Sequence, residues 1–293
     1  MKNIETIIVG VTSKKQFSLA VREAQKLSEL FGALIYPVHI IEPLSVKLFH
    51  PKSTDEVLDK VMIKLSDEIQ RLYPDHGNHK IEAPLISVGN TAKELADIAK
   101  KIGNSLIVIG RHSSGLKHML SKSHAERLVK YAEGPVWIHP DKAFTGIPKK
   151  ILCPVDFTTA CQKAAAEALS FAEQTGADLE FVHVLPEVIN YSDFDGYLST
   201  NNGISEITDD VFRKEAELQF SSLYNLLNID VGRHPHHVRF GDPSAQINDF
   251  AAEIKADLLV VSSSSNHKLE KLITGSTVRH IIHDAKIDVL VVK

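Results

Sequence analysis

Lys150-Ile151-Leu152-Cys153-Pro154-Val155-Asp156 opens the second half of the chain as Thr6-Ile7-Ile8-Val9-Gly10-Val11-Thr12 opens the first. Each strand-like run leads into a stretch with helical periodicity rich in Ala, Leu and Glu, Ala160 to Thr175 and Ser18 to Phe31. Each of these helices stops at a glycine followed by alanine, Gly176-Ala177 and Gly32-Ala33, the residues that close a helix in the left-handed conformation. A second strand follows in both, Leu179 to Leu185 and Leu34 to Ile40. The Val-His pair inside it recurs 144 residues apart, from His39 to His183. A period of this length is the signature of a duplicated domain.

The correspondence continues to the end of each half. Ser87-Val88-Gly89-Asn90 matches Arg239-Phe240-Gly241-Asp242, with Gly89 and Gly241 now 152 residues apart. Amphipathic helices follow, Ala92 to Ile102 and Ser244 to Lys255, and then near-continuous apolar strands, Ser105 to Gly110 and Asp257 to Ser262. A loop, a helix and a last strand close each copy, Pro135 to Ile138 and Asp288 to Val292. The growth of the offset from 144 to 152 places an insertion in the second copy, and the polar stretch Asn190 to Asp210 reads as a surface loop or lid. Strands apolar on both faces, alternating with helices, predict a parallel sheet covered on both sides. The expected architecture is α/β: two tandem doubly wound, Rossmann-like domains of five parallel strands, residues 1–140 and 149–293, joined by a linker from Asp141 to Pro148.

Composition narrows the function classes. With 43% hydrophobic and 24% charged residues in 293, each half can bury its own core. A net charge of −4 argues against binding nucleic acid or acidic membrane through a basic face. The two cysteines, Cys153 and Cys161, form neither a disulfide framework nor a metal motif. No apolar run is long enough to span a bilayer and the N-terminus lacks the pattern of a signal peptide, so the cytoplasm is the expected location.

In a doubly wound sheet, ligands bind beyond the carboxyl ends of the strands, where strand order reverses. After its first strand the second copy carries Asp156, an acceptor for a ribose hydroxyl or a base amine; the competing role is an N-cap for the next helix. After its fourth strand come Ser262-Ser263-Ser264-Ser265 and, further on, Gly275-Ser276-Thr277, which opens a helix reaching about His283. Gly275 admits a ligand close to the backbone, and the free N–H groups of the helix start attract anions. A serine-rich loop before a capped helix is also ordinary architecture.

Taken together, these segments resemble the universal stress protein family, and the resemblance runs the length of the chain twice. The family's nucleotide pattern is Gly, two residues, Gly, nine residues, Gly, then Ser or Thr. The second copy keeps that spacing as Ser262, two residues, Ser265, nine residues, Gly275, Ser276. Pro154 and Asp156 match the family's Pro-x-Asp step, Val182-His183-Val184 its second strand, and Gly241-Asp242-Pro243 part of its segment before the third helix. The resemblance implies an adenine nucleotide (ATP, ADP or AMP, with magnesium for the triphosphate) held by Pro154, Asp156, Val184, Val261, Ser262, Ser265, Gly275, Ser276 and Thr277. Serines at 262 and 265, where the family has glycines, narrow the space for a triphosphate.

The first copy departs further: Ser13 replaces the aspartate, Lys122-Ser123 replaces Gly-Ser, and the loop after Gly110 is one residue short. Arg111, His112 and Lys122 are left there as holders of some other anion, or as a solvated basic loop. Relatives of this kind pair through their last strands, so the halves are expected to pack as an intramolecular pseudo-dimer around Val136 and Val289, with a homodimer of chains as a further step. No Walker loop and no nucleophile–base pair is present, which favours a stress-response sensor or ligand carrier. The rival readings are a binding module for a lipid-like ligand and a slow ATPase. Among the 15 histidines, His234-Pro235-His236-His237 and the pair His118 and His124 invite a metal, but none has a zinc signature; a zinc site assembled only in three dimensions stays open.

Overall fold

The computed structural model describes residues 4–11, 14–42, 59–60, 62–64, 66–67, 81–111, 116–140, 146–185, 202–230, 232–263 and 276–293; for 14–18, 116–123 and 202–209 it describes the backbone alone. The first repeat runs β1 (Thr6–Val11), α1 (Lys14–Phe31), β2 (Leu34–Ile41), β3 (Leu85–Val88), α2 (Thr91–Ile102), β4 (Ser105–Arg111), α3 (Leu116–Tyr131), β5 (Val136–Pro140). The second runs β6 (Lys150–Pro154), α4 (Thr159–Thr175), β7 (Asp178–Leu185), α5 (Asn202–Leu227), β8 (His236–Phe240), α6 (Pro243–Glu253), β9 (Leu258–Ser262), α7 (Ser276–Asp284), β10 (Asp288–Val292).

All ten strands form one sheet in the order β3-β2-β1-β4-β5-β10-β9-β6-β7-β8. Within each repeat the pairing is parallel and the order is that of a doubly wound fold. The two repeats meet where β5 and β10 pair antiparallel, the last-strand contact that the resemblance implied. Trp137 lies opposite Leu290, Val136 opposite Val291 and Ile138 opposite Val289. Positions 137 and 290 are 153 apart, as are 136 and 289, and 138 and 291. Exchanging the repeats therefore maps this ladder onto itself, and a pseudo-twofold axis passes between Trp137 and Leu290.

Alternation along the strands explains why the pairing holds. Ile7 and Val9 of β1 face one layer with Trp137, Ile151, Cys153 and Phe171, while Ile8 faces the other with Ile107, Ile138, Leu152 and Val289. Both layers run unbroken from one repeat into the other, so neither half has a core that ends at the seam. Thr158 caps α4, its hydroxyl accepting from the Cys161 N–H at 3.3 Å, and Gly176 closes the same helix at φ 72°, where a side chain would be strained.

The recurring Val-His pair has a structural origin. His39 donates from Nδ1 to the Val11 carbonyl at 2.7 Å, and His183 does the same to Val155 at 2.7 Å. Each imidazole ties the second strand of its repeat to the carboxyl end of the first, at Val11 itself and at Val155 just beyond Pro154. One expectation is corrected: of the stretch read as a loop, Asn202 to Asp210 forms the first turns of α5. Its polar side chains suggested a loop, yet Ile204, Ile207 and Val211 keep helical spacing. Residues 190–201 of that stretch lie outside the described residues. Among the described residues no helix is long and apolar enough to cross a membrane.

Candidate functional site

The strand order of the second repeat reverses between β6 and β9: the chain runs from β6 outward to β8, then returns to β9 and β10. Pro154 ends β6 and Ser262 ends β9, so both stand at this reversal. Asp156 follows two residues beyond Pro154. Helix α7 carries the chain from beyond the carboxyl end of β9 back to the start of the parallel strand β10, so Ser276 and Thr277 begin it on the same side of the sheet. Val184 is half-buried on β7, and Val261 is buried on β9. Ser265 and Gly275 lie outside the described residues.

The residue that joins this group is one the sequence reading passed over. Cys161, in the first turn of α4, has its Sγ 3.3 Å from the buried Ser262 hydroxyl. Burial, then the Asp156 carboxylate beside it, push its thiol up to about 11, so it is a neutral SH and not a nucleophile. Asp156 and Ser262, more than a hundred positions apart, thus both reach Cys161. The available signal was position: Cys161 is the third helical residue after the Asp156 turn, on the face that points back at the strands.

Asp156 is exposed and already has a local task. Its Oδ1 accepts from the Thr158 N–H at 3.0 Å and from the Thr158 hydroxyl at 2.6 Å. The N-cap of α4 is therefore Thr158, and Asp156 holds the turn that presents it; the simple N-cap reading of Asp156 is corrected accordingly. Between them Phe157 sits at φ 60°, a strained backbone for a bulky residue. Its ring packs 4.7 Å from His183 and 5.0 Å from Phe220, contacts that hold it there. Among the described residues, the outer oxygen of Asp156 and the Ser262 end of β9 are polar groups at this reversal.

The first repeat differs at the equivalent reversal, between β1 and β4. Arg111, expected to be available to an anion, is buried, and its guanidinium donates to the backbone carbonyls of His283 and Ala285. The same end of the sheet holds a small apolar cavity of about 60 Å³ bounded by Gly10, Val38, Leu95, Ile109 and Leu128. Ligand pockets begin near ~300 Å³, so this cavity does not suit a lipid chain. Glu42 accepts there from the Thr91 hydroxyl at 3.0 Å and lies 3.8 Å from His124. His112 lies outside the described residues, as do the side chains of His118 and Lys122.

The histidine-rich stretch before β8 does not gather into a metal site. His236 pairs with Glu217 at 2.7 Å, His237 with Glu180 at 2.8 Å, and the backbone carbonyl of His234 accepts from Tyr224. Each ring has a different neighbour. Among the described residues, the group of potential ligands that does converge is Glu23, His139 and Asp288, buried at the seam, with ligand atoms within 4.8 Å of one another. Sequence reading missed it because each of the three is a single polar residue inside an apolar helix or strand.

The universal stress protein family profile matches the chain twice, over residues 3–140 and 148–293. Universal stress protein G of Shigella flexneri is 28% identical over 148 residues, half of this chain and 99% of its own length. A universal stress protein of Mycolicibacterium smegmatis is 27% identical over 191 residues, covering 62% of this chain and 64% of its own. The crystal structure of a universal stress protein from Archaeoglobus fulgidus superposes with a TM-score of 0.64 at 19% identity, spanning 99% of this chain and 97% of that one. With two family-sized repeats, the doubly wound order in each and the shared sheet between them, the chain belongs to the universal stress protein family.

Proposed function

We propose that the second repeat binds one adenine nucleotide per chain and that the protein serves as a nucleotide-responsive sensor or carrier. The observation that carries this reading is the meeting of Asp156 and Ser262 around Cys161 at the β6/β9 reversal. That is where a doubly wound sheet receives a ligand. The start of α7, with Ser276 and Thr277, lies on the same side, and its free N–H groups suit phosphate oxygens. Asp156 takes the nucleoside end, with the oxygen not engaged by Thr158 accepting from a hydroxyl or amine. The retained family spacing through Ser265 and Gly275 supports the same assignment.

The asymmetry of the repeats supports a single site. Arg111 is committed to carbonyls of the other repeat, and the first repeat has no carboxylate in the place of Asp156. Calorimetric titration of the purified chain with ATP, ADP and AMP tests the reading: the expected stoichiometry is one. Two equivalent sites, or none for any of the three nucleotides, would overturn it.

A further inference from the structure

Asp288 of β10 lies opposite His139 of β5, one step along the antiparallel ladder from the Val289–Ile138 pair. Nδ1 of His139 is 2.7 Å from Oδ1 of Asp288, and both side chains are almost wholly buried. Glu23, from α1, completes the group with no exposed surface at all. Two of these residues come from the first repeat and one from the second, so the group exists only where the repeats meet.

Its polar atoms are poorly served by the protein. No other donor reaches either carboxylate oxygen of Glu23, which faces the Asp288 carboxylate, and Nε2 of His139 has no partner. Buried polar atoms are nearly always satisfied, and three in one place call for a shared partner. Two carboxylates brought together inside the core cannot both stay ionised without a cation or a proton between them. Lys26 moderates their field through space but adds no hydrogen bond to Glu23.

From this juxtaposition we infer that Glu23, His139 and Asp288 form a divalent transition-metal site, best suited to Zn²⁺, that fastens the two repeats together. One imidazole nitrogen, one Asp288 oxygen and the Glu23 carboxylate, which can chelate through both oxygens, supply three protein ligands of the types zinc takes. The imidazole nitrogen suits zinc, and the two carboxylates suit manganese as well. A 2+ ion cancels the two carboxylate charges and satisfies the orphaned atoms of Glu23 together.

The fold itself does not demand these residues. Under the pseudo-twofold axis, Glu23 corresponds to Glu167, 144 positions on, while His139 and Asp288 correspond to Val292 and Pro135, each 153 away. The counterpart position thus keeps a glutamate and loses the other two donors. The site is built once per chain, at one side of an otherwise symmetric seam.

The test uses the full chain. It is unfolded in denaturant with a chelator, refolded with excess Zn²⁺ or Mn²⁺, dialysed, and weighed by native mass spectrometry. Refolding in the presence of the ion removes any barrier to entering a buried site. One retained ion per chain is expected, with a higher unfolding temperature than the chelated protein. Glu23→Gln and His139→Val should each weaken the ion by at least about 100-fold, while His237→Ala leaves it unchanged. The inference is overturned if folded wild type retains neither ion. It is overturned equally if Glu23→Gln folds and binds as wild type does, or if infrared spectra of the zinc-treated protein show Glu23 still protonated against Asp288.

Discussion

Arg111, at the end of β4 in the first repeat, donates its guanidinium to the carbonyls of His283 and Ala285 where α7 ends in the second. The favour is returned: Lys293, the last residue of the chain, donates to the Val129 carbonyl in the final turn of α3. Each repeat thus places a cation against the negative end of the other's closing helix, where unpaired carbonyls need donors. Arg111→Met keeps most of the buried stem and removes the donors. Its expected effect is a loss of about 1–3 kcal/mol in denaturant titrations. A change below ~0.5 kcal/mol would mean that water replaces the guanidinium without penalty.

The sole tryptophan stands on the pseudo-twofold axis. Trp137 is fully buried, opposite Leu290 and 5.8 Å from the ring of Phe171 in the other repeat. Because both core layers cross the seam, the repeats should unfold together. Tryptophan emission and far-ultraviolet circular dichroism are expected to trace one coincident transition. Trp137→Ala should lower stability by about 3–5 kcal/mol. A fluorescence transition that precedes the loss of helix would show the seam opening first, with each repeat stable by itself.

Much of this architecture was legible in the sequence. The 144-residue recurrence of Val-His and the helix-ending glycines gave the repeat, and apolar strands such as Ile151 to Cys153 gave the parallel sheet. The seam came from the family resemblance, which implies pairing through the last strands, around Val136 and Val289. The site was legible only in part. Asp156 and Ser262 were visible because their strand ends are predictable, but Cys161 belongs to no disulfide or metal motif and so drew no attention as a site residue. Arg111 was misread because charge alone suggests an anion, whereas its helix-capping partners are more than 170 positions away. Glu23, His139 and Asp288 were invisible for the same reason: no local pattern marks three single polar residues that meet only when two repeats close on each other.

Asp156 separates the ligand's demands from those of the turn. Asp156→Ala removes both the acceptor for Thr158 and the candidate ligand group, and it should weaken nucleotide binding by about 1–3 kcal/mol. Asp156→Asn keeps an acceptor oxygen for the Thr158 N–H and hydroxyl, so α4 should start as before. If the carboxylate itself accepts from the nucleoside, the asparagine variant recovers only part of the affinity. Full recovery, measured with a fluorescent adenine nucleotide, would assign Asp156 to the turn alone.

Gly275 tests the phosphate end of the same site. A branched side chain just ahead of the N-terminus of α7 occupies the space a phosphate needs beside the free N–H groups. Gly275→Val should therefore abolish detectable nucleotide binding while the circular dichroism spectrum and unfolding midpoint stay close to those of wild type. A folded variant that binds normally would move the phosphates elsewhere.

Cys161 makes the interior of the candidate site measurable through pH. Its thiol is shifted from 9 in an open chain up to about 11, by burial first and by Asp156 second. At neutral pH the folded protein then holds about 100-fold less thiolate than an open chain, and alkylation of Cys161 should be slowed at least that much until denaturant is added. The stability consequence has a definite sign. Between pH 9 and 11 the folded state keeps a proton that the unfolded state releases, so stability attributable to Cys161 is complete below pH 9 and declines as the pH rises to 11. Lys293 slopes the other way, because burial lowers its ammonium from 10.5 to about 8 and favours folding as the pH climbs. The total curve mixes the two, and the difference between wild type and Cys161→Ala isolates the thiol. That difference should move by about 2–3 kcal/mol in favour of the alanine variant between pH 9 and 11. A difference that stays flat across this range would mean that Cys161 ionises as freely in the folded protein as in the open chain, and that the space between Asp156 and Ser262 is wet.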